Sequence, residues 1–335
     1  MFKNKVIMVT GGTGSFGKKF ITHTLKNIKF KKIIIYSRDE LKQHDFKNSL
    51  NNKDLKKIRF FIGDIRDKAR LKMAMKDVNI VVHAAALKQV PTIEYNPFEA
   101  VKTNINGAQN IIETSLETSV EKVIALSTDK ASSPINVYGA TKLTSDKLFI
   151  SANNYSGRNN IKFSVVRYGN VFGSRGSVIP IFLGQKNGVY NITSLDMTRF
   201  NITLEEGVKF VLFSLKNMVG GEVFVPKLKS YRITDVVKAI SNSPKIKIIG
   251  VRPGEKIHEE MISRFDSVNT LEFKNFFIIL PDLSFKGLKL NKFKKKFNGQ
   301  SPKLCKPNFS YNSYENKNFL KVNEIKNLIK IFQKK

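Results

Sequence analysis

Ser127-Thr128-Asp129-Lys130 and, eight residues beyond Lys130, Tyr138-Gly139-Ala140-Thr141-Lys142 put an acid, a phenol and two amines within sixteen residues. The first group directly follows a strand-like run, Lys122 to Leu126. Tyr138 and Lys142 are spaced i, i+4, which on a helix places both side chains on one face. An ammonium beside a phenol stabilises the phenolate, so a lowered Tyr138 pKa, suited to acid/base chemistry, is expected. The bland alternative is a capped helix start with surface lysines. The elements that precede this stretch decide between the two.

Thr10-Gly11-Gly12-Thr13-Gly14-Ser15-Phe16-Gly17 has the pattern G-x-x-G-x-x-G, between a short apolar run (Val6 to Thr10) and a helix-like segment (Lys18 to Asn27). Glycines there permit a tight turn and close backbone approach to a pyrophosphate, which then sits at the helix N-terminus. Thr10, Gly11, Thr13, Gly14, Ser15, Phe16 and Gly17 are therefore the candidate dinucleotide cradle. Ser37-Arg38-Asp39 closes the next strand. An acid at that point suits the ribose 2′-hydroxyl of NAD and an arginine the 2′-phosphate of NADP. Ser37 and Arg38 lie nearer the strand end, which favours NADP over NAD. The competing reading pairs Arg38 with Asp39 or Glu40. Asp64 and Ile65, after the third strand, are placed against the adenine. His83-Ala84-Ala85-Ala86 ends the fourth strand with small residues beside the cofactor, Ala84 among them; His83 itself reads as structural.

Strand-like and helix-like segments alternate through the first half. Strands are expected at Lys32 to Tyr36, Ile58 to Ile62, Ile80 to His83, Val123 to Leu126 and Lys162 to Arg167. Helices are expected at about Asp67 to Lys76, Phe98 to Ser119 and Tyr138 to Asn153. Such alternation means βαβ units: an α/β, Rossmann-type, doubly wound parallel sheet with helices on both faces. After about Gly169 the elements shorten and turns such as Gly173 to Ser177 and Arg252-Pro253-Gly254-Glu255 appear. The division expected is a dinucleotide-binding domain at 1–169, with a return at about 205–235, and a smaller α/β substrate-binding domain with a C-terminal tail at 170–335. Phe319, Val322, Ile325, Leu328 and Ile329 recur at helical spacing, so the tail should end in an amphipathic helix.

Length, 335 residues, and 41% hydrophobic content suit a globular enzyme rather than a disordered chain. No apolar run reaches the roughly 18–20 residues needed to span a bilayer, and the N-terminus reads as a first strand rather than a signal peptide. One cysteine, Cys305, allows no intrachain disulfide, so a cytoplasmic location is the default. The formal net charge of +31 raises nucleic-acid binding. The excess is mostly lysine spread along the chain, and no nucleic-acid motif accompanies it. The densest run, Lys292-Phe293-Lys294-Lys295-Lys296, reads as a solvated face. Neither a specific nucleic acid, a membrane nor a metal is implied.

The stretches TGGTGSFG, YSRDELKQ, RFFIGDIRD, HAAALKQVPTIEYNPFEAVKTNINGAQN, ALSTDKASSPINVYGATKL, FSVVRYGNVFGSRGSVIP, MTRFNITLEEGVKF, IIGVRPGEKIHEEMI and FSYNSYENKNFLKVNEI closely resemble the UDP-N-acetylglucosamine 4,6-dehydratases of the extended short-chain dehydrogenase/reductase superfamily. The likeness is greatest to the C5-inverting type that starts pseudaminic acid synthesis, in flagellin glycosylation. It covers nearly the whole chain. It implies that the sugar C4 hydroxyl is oxidised, making C5–H acidic, that water leaves from C5–C6, and that the hydride from C4 returns to C6.

Within that scheme the resemblance assigns Tyr138 to deprotonate the C4 hydroxyl, Lys142 to lower its pKa and bind the nicotinamide ribose, and Thr128 to hydrogen-bond O4. Asp129 would protonate the departing C6 hydroxyl, and Lys130 would remove the C5 proton. That last role needs a neutral amine, and burial with Lys142 nearby is expected to lower the Lys130 pKa. Lys130 and Tyr138 are the two candidates for returning a proton to C5. Retaining relatives tend to have Met at the Tyr138 position, so Tyr favours inversion. Lys88 would meet substrate and cofactor phosphates. Asn170, Ser177 and Val178 should face the sugar nucleotide, and Arg199, Arg252 and Glu255 should hold the UDP, unless the arginines form domain-tying ion pairs. Asn201 departs from the pattern, where relatives usually carry an aromatic. A homo-oligomer, dimer or higher, is implied. The rivals are a UDP-sugar 4-epimerase or C5-retaining dehydratase, and a non-catalytic sugar-nucleotide or polyanion-binding protein. Asp129 with Lys130 has no obvious task in an epimerase.

Overall fold

The computed structural model describes residues 1–157, 160–174, 176–185, 188–282, 290–295 and 300–333. Arg175, and the basic side chains of the run at 292–296, lie outside the described residues.

The apolar runs of the first half pair in register as β1 (Val6–Thr10), β2 (Lys32–Ser37), β3 (Ile58–Ile62), β4 (Ile80–His83), β5 (Lys122–Leu126) and β6 (Lys162–Val166). They are parallel, in the order β3-β2-β1-β4-β5-β6. Val223–Pro226 continues the sheet in parallel. Phe276–Ile279, Thr270–Glu272 and Lys303–Leu304 finish that side antiparallel, for ten strands in all. Alternate residues feed two cores: Met8, Ile34, Val81, Val123 and Val165 on one face, and Ile7, Ile33, Val82, Ile124 and Val166 on the other. This two-sided burial explains runs that are apolar throughout rather than alternating. The direction of progression reverses between β1 and β4, and a crevice opens at their C-terminal ends, where such sheets bind ligands.

Helix 204–217 (Leu204–Asn217) packs beside helix 15–27 (Ser15–Asn27), and Glu205 bridges Lys19 at 2.6 Å and His23 at 3.0 Å. The chain then enters the large sheet through Val223–Pro226. A three-stranded sheet, with Thr198–Ile202 between Lys229–Arg232 and Asn170–Val171, forms the smaller layer. Its core includes Ile179, Tyr190, Tyr231 and Val237, together with Ile325 and Ile329 of the terminal helix Val322–Gln333. The helical spacing of the tail is therefore realised.

One expected element differs. In place of a single regular helix from Phe98 to Ser119 there is one turn of α-helix at Pro97–Ala100, a π-helical stretch at Val101–Asn106 and an α-helix at Gly107–Leu116. In the wider winding Asn104 is buried. It accepts from Leu87 N (2.9 Å) and donates to Leu87 O (3.0 Å) and Thr141 Oγ1 (3.1 Å). These bonds tie the loop after β4 to the helix bearing Tyr138. A π-turn at a functional site is the usual setting for this winding, and apolar spacing carries no sign of it. Among the described residues, no helix is long and apolar enough to cross a membrane.

Candidate active site

The glycine turn builds one end of the cleft. Gly11 has φ +64°, and a Cβ there would lie 2.9 Å from the Ala85 Cα. A Cβ on Gly17 would lie 2.6 Å from the Gly11 carbonyl oxygen, so the turn closes tightly onto the strand ends. Gly14 begins the first helix with no side-chain cap, leaving the first N–H groups without a side-chain acceptor beside the cleft. This fits a pyrophosphate. Thr10 is placed differently from the rest of the motif: it is buried, its Oγ1 lies 2.8 Å from His83 Nδ1, and it accepts from Ala84 N at 3.2 Å. It braces β1 against β4.

The cleft, about 930 Å³, runs from this turn past Ser37, Arg38, Asp64, Ile65, Ala84 and Lys88 to Thr128, Asp129, Lys130, Tyr138 and Lys142, and ends near Asn170 and Ser177. Thus most of the residues singled out in sequence line one space. Thr10, Val178, Arg199, Arg252 and Glu255 do not line it. Val178 begins a short helix packed on the smaller core. Arg252 is exposed in its turn. Arg199 is buried: it donates to the carbonyls of Thr198 (2.7 Å), Ile257 (2.9 Å) and Lys256 (3.0 Å), and lies 3.7 Å from Glu255 and 3.6 Å from Glu259. In this structure the arginine ties the segment 255–259 to the smaller sheet, which was the alternative to holding UDP. Arg38 pairs with neither Asp39 nor Glu40; its guanidinium lies 3.4 Å from Asp64. Asp39 instead caps the helix Glu40–Asn48 by accepting from Lys42 N.

Tyr138 and Lys142 sit on the helix Val137–Ser151, whose start is fixed from several sides. Asn136 accepts from Gly139 N at 2.7 Å and donates to Gly254 O at 2.7 Å. Lys256 donates to Ser132 O at 2.7 Å. Gly139 presses on the preceding turn, where a Cβ would lie 2.2 Å from the Lys130 carbonyl oxygen. The RPGEK motif therefore clamps the loop between Lys130 and Tyr138.

At the chemical end, Thr128 donates to Asp129 Oδ1 at 2.9 Å, and Thr128 and Tyr138 both line the cleft. Lys130 Nζ lies 3.2 Å from Asp129 Oδ1 and 2.8 Å from Glu259 Oε1. Both carboxylates are almost fully buried. Two electrostatic expectations are corrected here. Burial works against the Lys130 ammonium, but the charges of Asp129 and Glu259 prevail and hold its pKa above the usual lysine range; the expected lowering took no account of a second carboxylate. Burial pushes the Tyr138 phenol up to about 12, with Lys130 and Thr128 acting in the opposite direction. Burial also disfavours the Lys142 ammonium, so with the protein's own groups alone Tyr138 stays protonated at neutral pH.

Glu259 is a site residue that sequence reading missed, although it lies within the quoted run IIGVRPGEKIHEEMI. Behind the site, Asp146 Oδ2 accepts from Ser127 Oγ at 2.6 Å and Arg167 Nη2 at 3.3 Å. Its position one turn after Lys142 was the available sign. Asn170 Oδ1, Ser177 Oγ and Asp129 Oδ2 are buried without a hydrogen-bond partner. All three residues line the cleft, so acceptors and a hydroxyl stand ready for a polar ligand.

A parallel sheet with a glycine turn at its switch point and a Thr–Tyr–Lys set beside it defines a dinucleotide-binding α/β enzyme of the short-chain dehydrogenase/reductase kind. The chain belongs to the polysaccharide biosynthesis protein family, which it matches over residues 7–281. It is 50% identical, over 98% of both chains, to a UDP-N-acetylglucosamine 4,6-dehydratase (inverting) of Campylobacter jejuni. It is 44% identical, over 84% of both, to a UDP-glucose 4-epimerase of Rickettsia bellii. The solved structure of Pen from Bacillus thuringiensis superposes with a TM-score of 0.89 at 37% identity, covering 99% of each chain.

His83 supplies a pH test. Burial, with Lys142 second, lowers its pKa from the ordinary 6.5 to about 3. The unfolded chain takes up a proton below pH 6.5 that the native state refuses. His83 therefore makes native stability fall as pH drops from about 6.5 toward 3. Urea unfolding of His83→Asn across that window should show a shallower fall than the parent; identical slopes would contradict the burial of a neutral imidazole.

Proposed function

We propose that this chain is a UDP-N-acetylglucosamine 4,6-dehydratase that inverts C5, giving UDP-2-acetamido-2,6-dideoxy-β-L-arabino-hexos-4-ulose. The observation that carries the reading is the Asp129–Lys130 pair, 3.2 Å apart beside Tyr138 in the cleft, in a chain 50% identical to a dehydratase of that name over 98% of its length. A nicotinamide cofactor, when bound, takes the hydride from C4 and supplies it to C6. The residues to hold it are those of the glycine turn, Arg38, Asp64, Ile65, Tyr138 and Lys142.

Thr128 and Tyr138 together would hold O4, and Tyr138, after losing its own proton to solvent when a cationic nicotinamide lies beside it, would take the proton of that hydroxyl as phenolate. Lys130 is stored as an ammonium, so it acts as base only after passing a proton on. Asp129 Oδ1, 3.2 Å away, is within reach. One transfer from Lys130 to Asp129 makes an amine and a carboxylic acid together, which are the two groups that elimination across C5–C6 requires. The amine then takes the C5 proton, the C5–H electrons form the C5–C6 double bond, and the acid protonates the leaving C6 oxygen. An epimerase needs no such pair; the likeness to proteins named UDP-glucose 4-epimerase makes that the second reading. NMR of the product from UDP-N-acetylglucosamine decides: a 4-keto-6-deoxy sugar of β-L-arabino configuration is expected, and UDP-N-acetylgalactosamine would overturn the reading.

Further parts of the proposal are cytoplasmic action at the start of pseudaminic acid synthesis and a homo-oligomer. The exposed Tyr95 and Phe98, just ahead of the π-turn, support a contact between copies. NADP is favoured over NAD, because Asp39 is engaged in capping while Arg38 remains half-exposed on the cleft wall. Arg38→Ala should weaken NADP binding about tenfold, the effect of losing roughly 1.4 kcal/mol at a phosphate contact, and leave NAD binding unchanged. Calorimetric titration of both cofactors measures this; equal effects on the two would contradict it.

A further inference from the structure

Lys130 stands between two buried carboxylates, Asp129 Oδ1 at 3.2 Å and Glu259 Oε1 at 2.8 Å. Among the described residues a second cation lies within 4 Å of one of them alone: Arg199 Nε is 3.6 Å from Glu259. The four groups balance in charge, but unevenly in space. Glu259 has two cations, whereas Asp129 shares one with it. Asp129 Oδ2 and Glu259 Oε2 have no hydrogen-bond partner, and besides Lys130 the Asp129 carboxylate accepts a side-chain bond from the neutral Thr128 hydroxyl, at 2.9 Å. Where paired titratable groups are pushed apart in this way, the better-compensated one keeps its charge and the other carries the proton.

We propose that Glu259 is a positioning residue for the elimination step: with Arg199 it forms the fixed half of a buried charge cluster, and by sharing Lys130, the cation that among the described residues lies within 4 Å of Asp129, it leaves Asp129 able to hold the proton that the departing C6 oxygen takes. The inference rests on the dehydratase reading above for its catalytic consequence. In the step, the Asp129 O–H bond breaks as the C6 oxygen gains that proton and leaves as water, and the C5 proton passes to the Lys130 amine. Transfer of that proton to Asp129 restores the pair, so no outside acid is consumed. The directions of the two carboxyl pKa values agree: burial and the Glu259 charge push Asp129 up, whereas Lys130 and Arg199 overcome burial and hold Glu259 down. Lys256 also lowers Glu259 and faces Asp129; the buried phenols of Tyr138 and Tyr231 face the cluster as well, and Glu255 lies 3.7 Å from Arg199.

Glu259→Gln keeps the shape and an oxygen able to accept from Lys130 while deleting the charge. In this variant, elimination from UDP-N-acetylglucosamine should slow by about a hundredfold, the low end of a general acid's contribution. The reduced nicotinamide formed in single turnover should still appear at the parental rate, and the alkaline limb of the pH–rate profile should move to lower pH. Glu259→Asp, which keeps the charge, should keep the parental limb. An unchanged elimination rate and profile in Glu259→Gln overturns the proposal, as does equal loss of C4 oxidation and elimination, which marks a merely structural residue. A second measurement needs no substrate: infrared titration of Asp129, assigned with Asp129→Asn, should show its carboxyl protonating above the ordinary carboxylate range in the parent and lower in Glu259→Gln. An ordinary or low midpoint in the parent overturns the proposal even if Glu259→Gln does not fold. Failure of the parent to dehydrate the substrate would count against the dehydratase reading, and the infrared result would still decide the role of Glu259.

Discussion

A lysine held between two buried carboxylates is the constraint around which this structure is arranged. Taking ions out of water costs several kcal/mol each unless partners surround them, so such a cluster persists only where the scaffold fixes every member. Here the members come from distant parts of the chain: Asp129 and Lys130 from the turn after β5, Arg199 from the central strand of the smaller sheet, and Glu259 from just after the RPGEK motif. The charge cluster therefore joins the two layers at the point where the cleft carries its chemistry.

The surrounding contacts have a common effect. The bonds from Asn136 to Gly254, from Lys256 to the Ser132 carbonyl and from Ser132 and Ser133 to Glu260 all hold the 130–136 loop against the 254–260 segment. On the other side the π-turn ties the loop after β4 to the helix bearing Tyr138 through Asn104. With so many ties the acid and amine at the cleft wall have little freedom to drift apart, and preorganised charge is the usual source of large catalytic effects. Burial accompanies this rigidity. It strengthens every charge interaction in the cluster, and it also raises the Tyr138 pKa rather than lowering it.

Much of the large sheet was legible in the sequence, because two-sided burial leaves apolar runs bounded by glycine and polar turns. β1, β3 and β4 fall where the runs placed them. The cleft residues were legible too, since Gly11, Tyr138 and Lys142 have types and spacings dictated by backbone approach and helix geometry. The break in the long helix was not, since Asn104 rewinds it through a tertiary hydrogen bond. Nor was the protonation state of Lys130. That depends on Glu259, 129 positions away in the chain, and no local pattern announces that a glutamate will be buried against a lysine. Arg199 shows the same limit: its type fits a diphosphate, but its place in the fold gives its donors to backbone carbonyls.

The central claim is that the Asp129–Lys130 pair turns an oxidation at C4 into an elimination across C5–C6. Following a deuterium label placed at C4 of UDP-N-acetylglucosamine tests it most directly. The account predicts that NMR of the product finds the label at C6 of a 4-keto-6-deoxy sugar. A label that returns to C4, in substrate or in its 4-epimer, would contradict it.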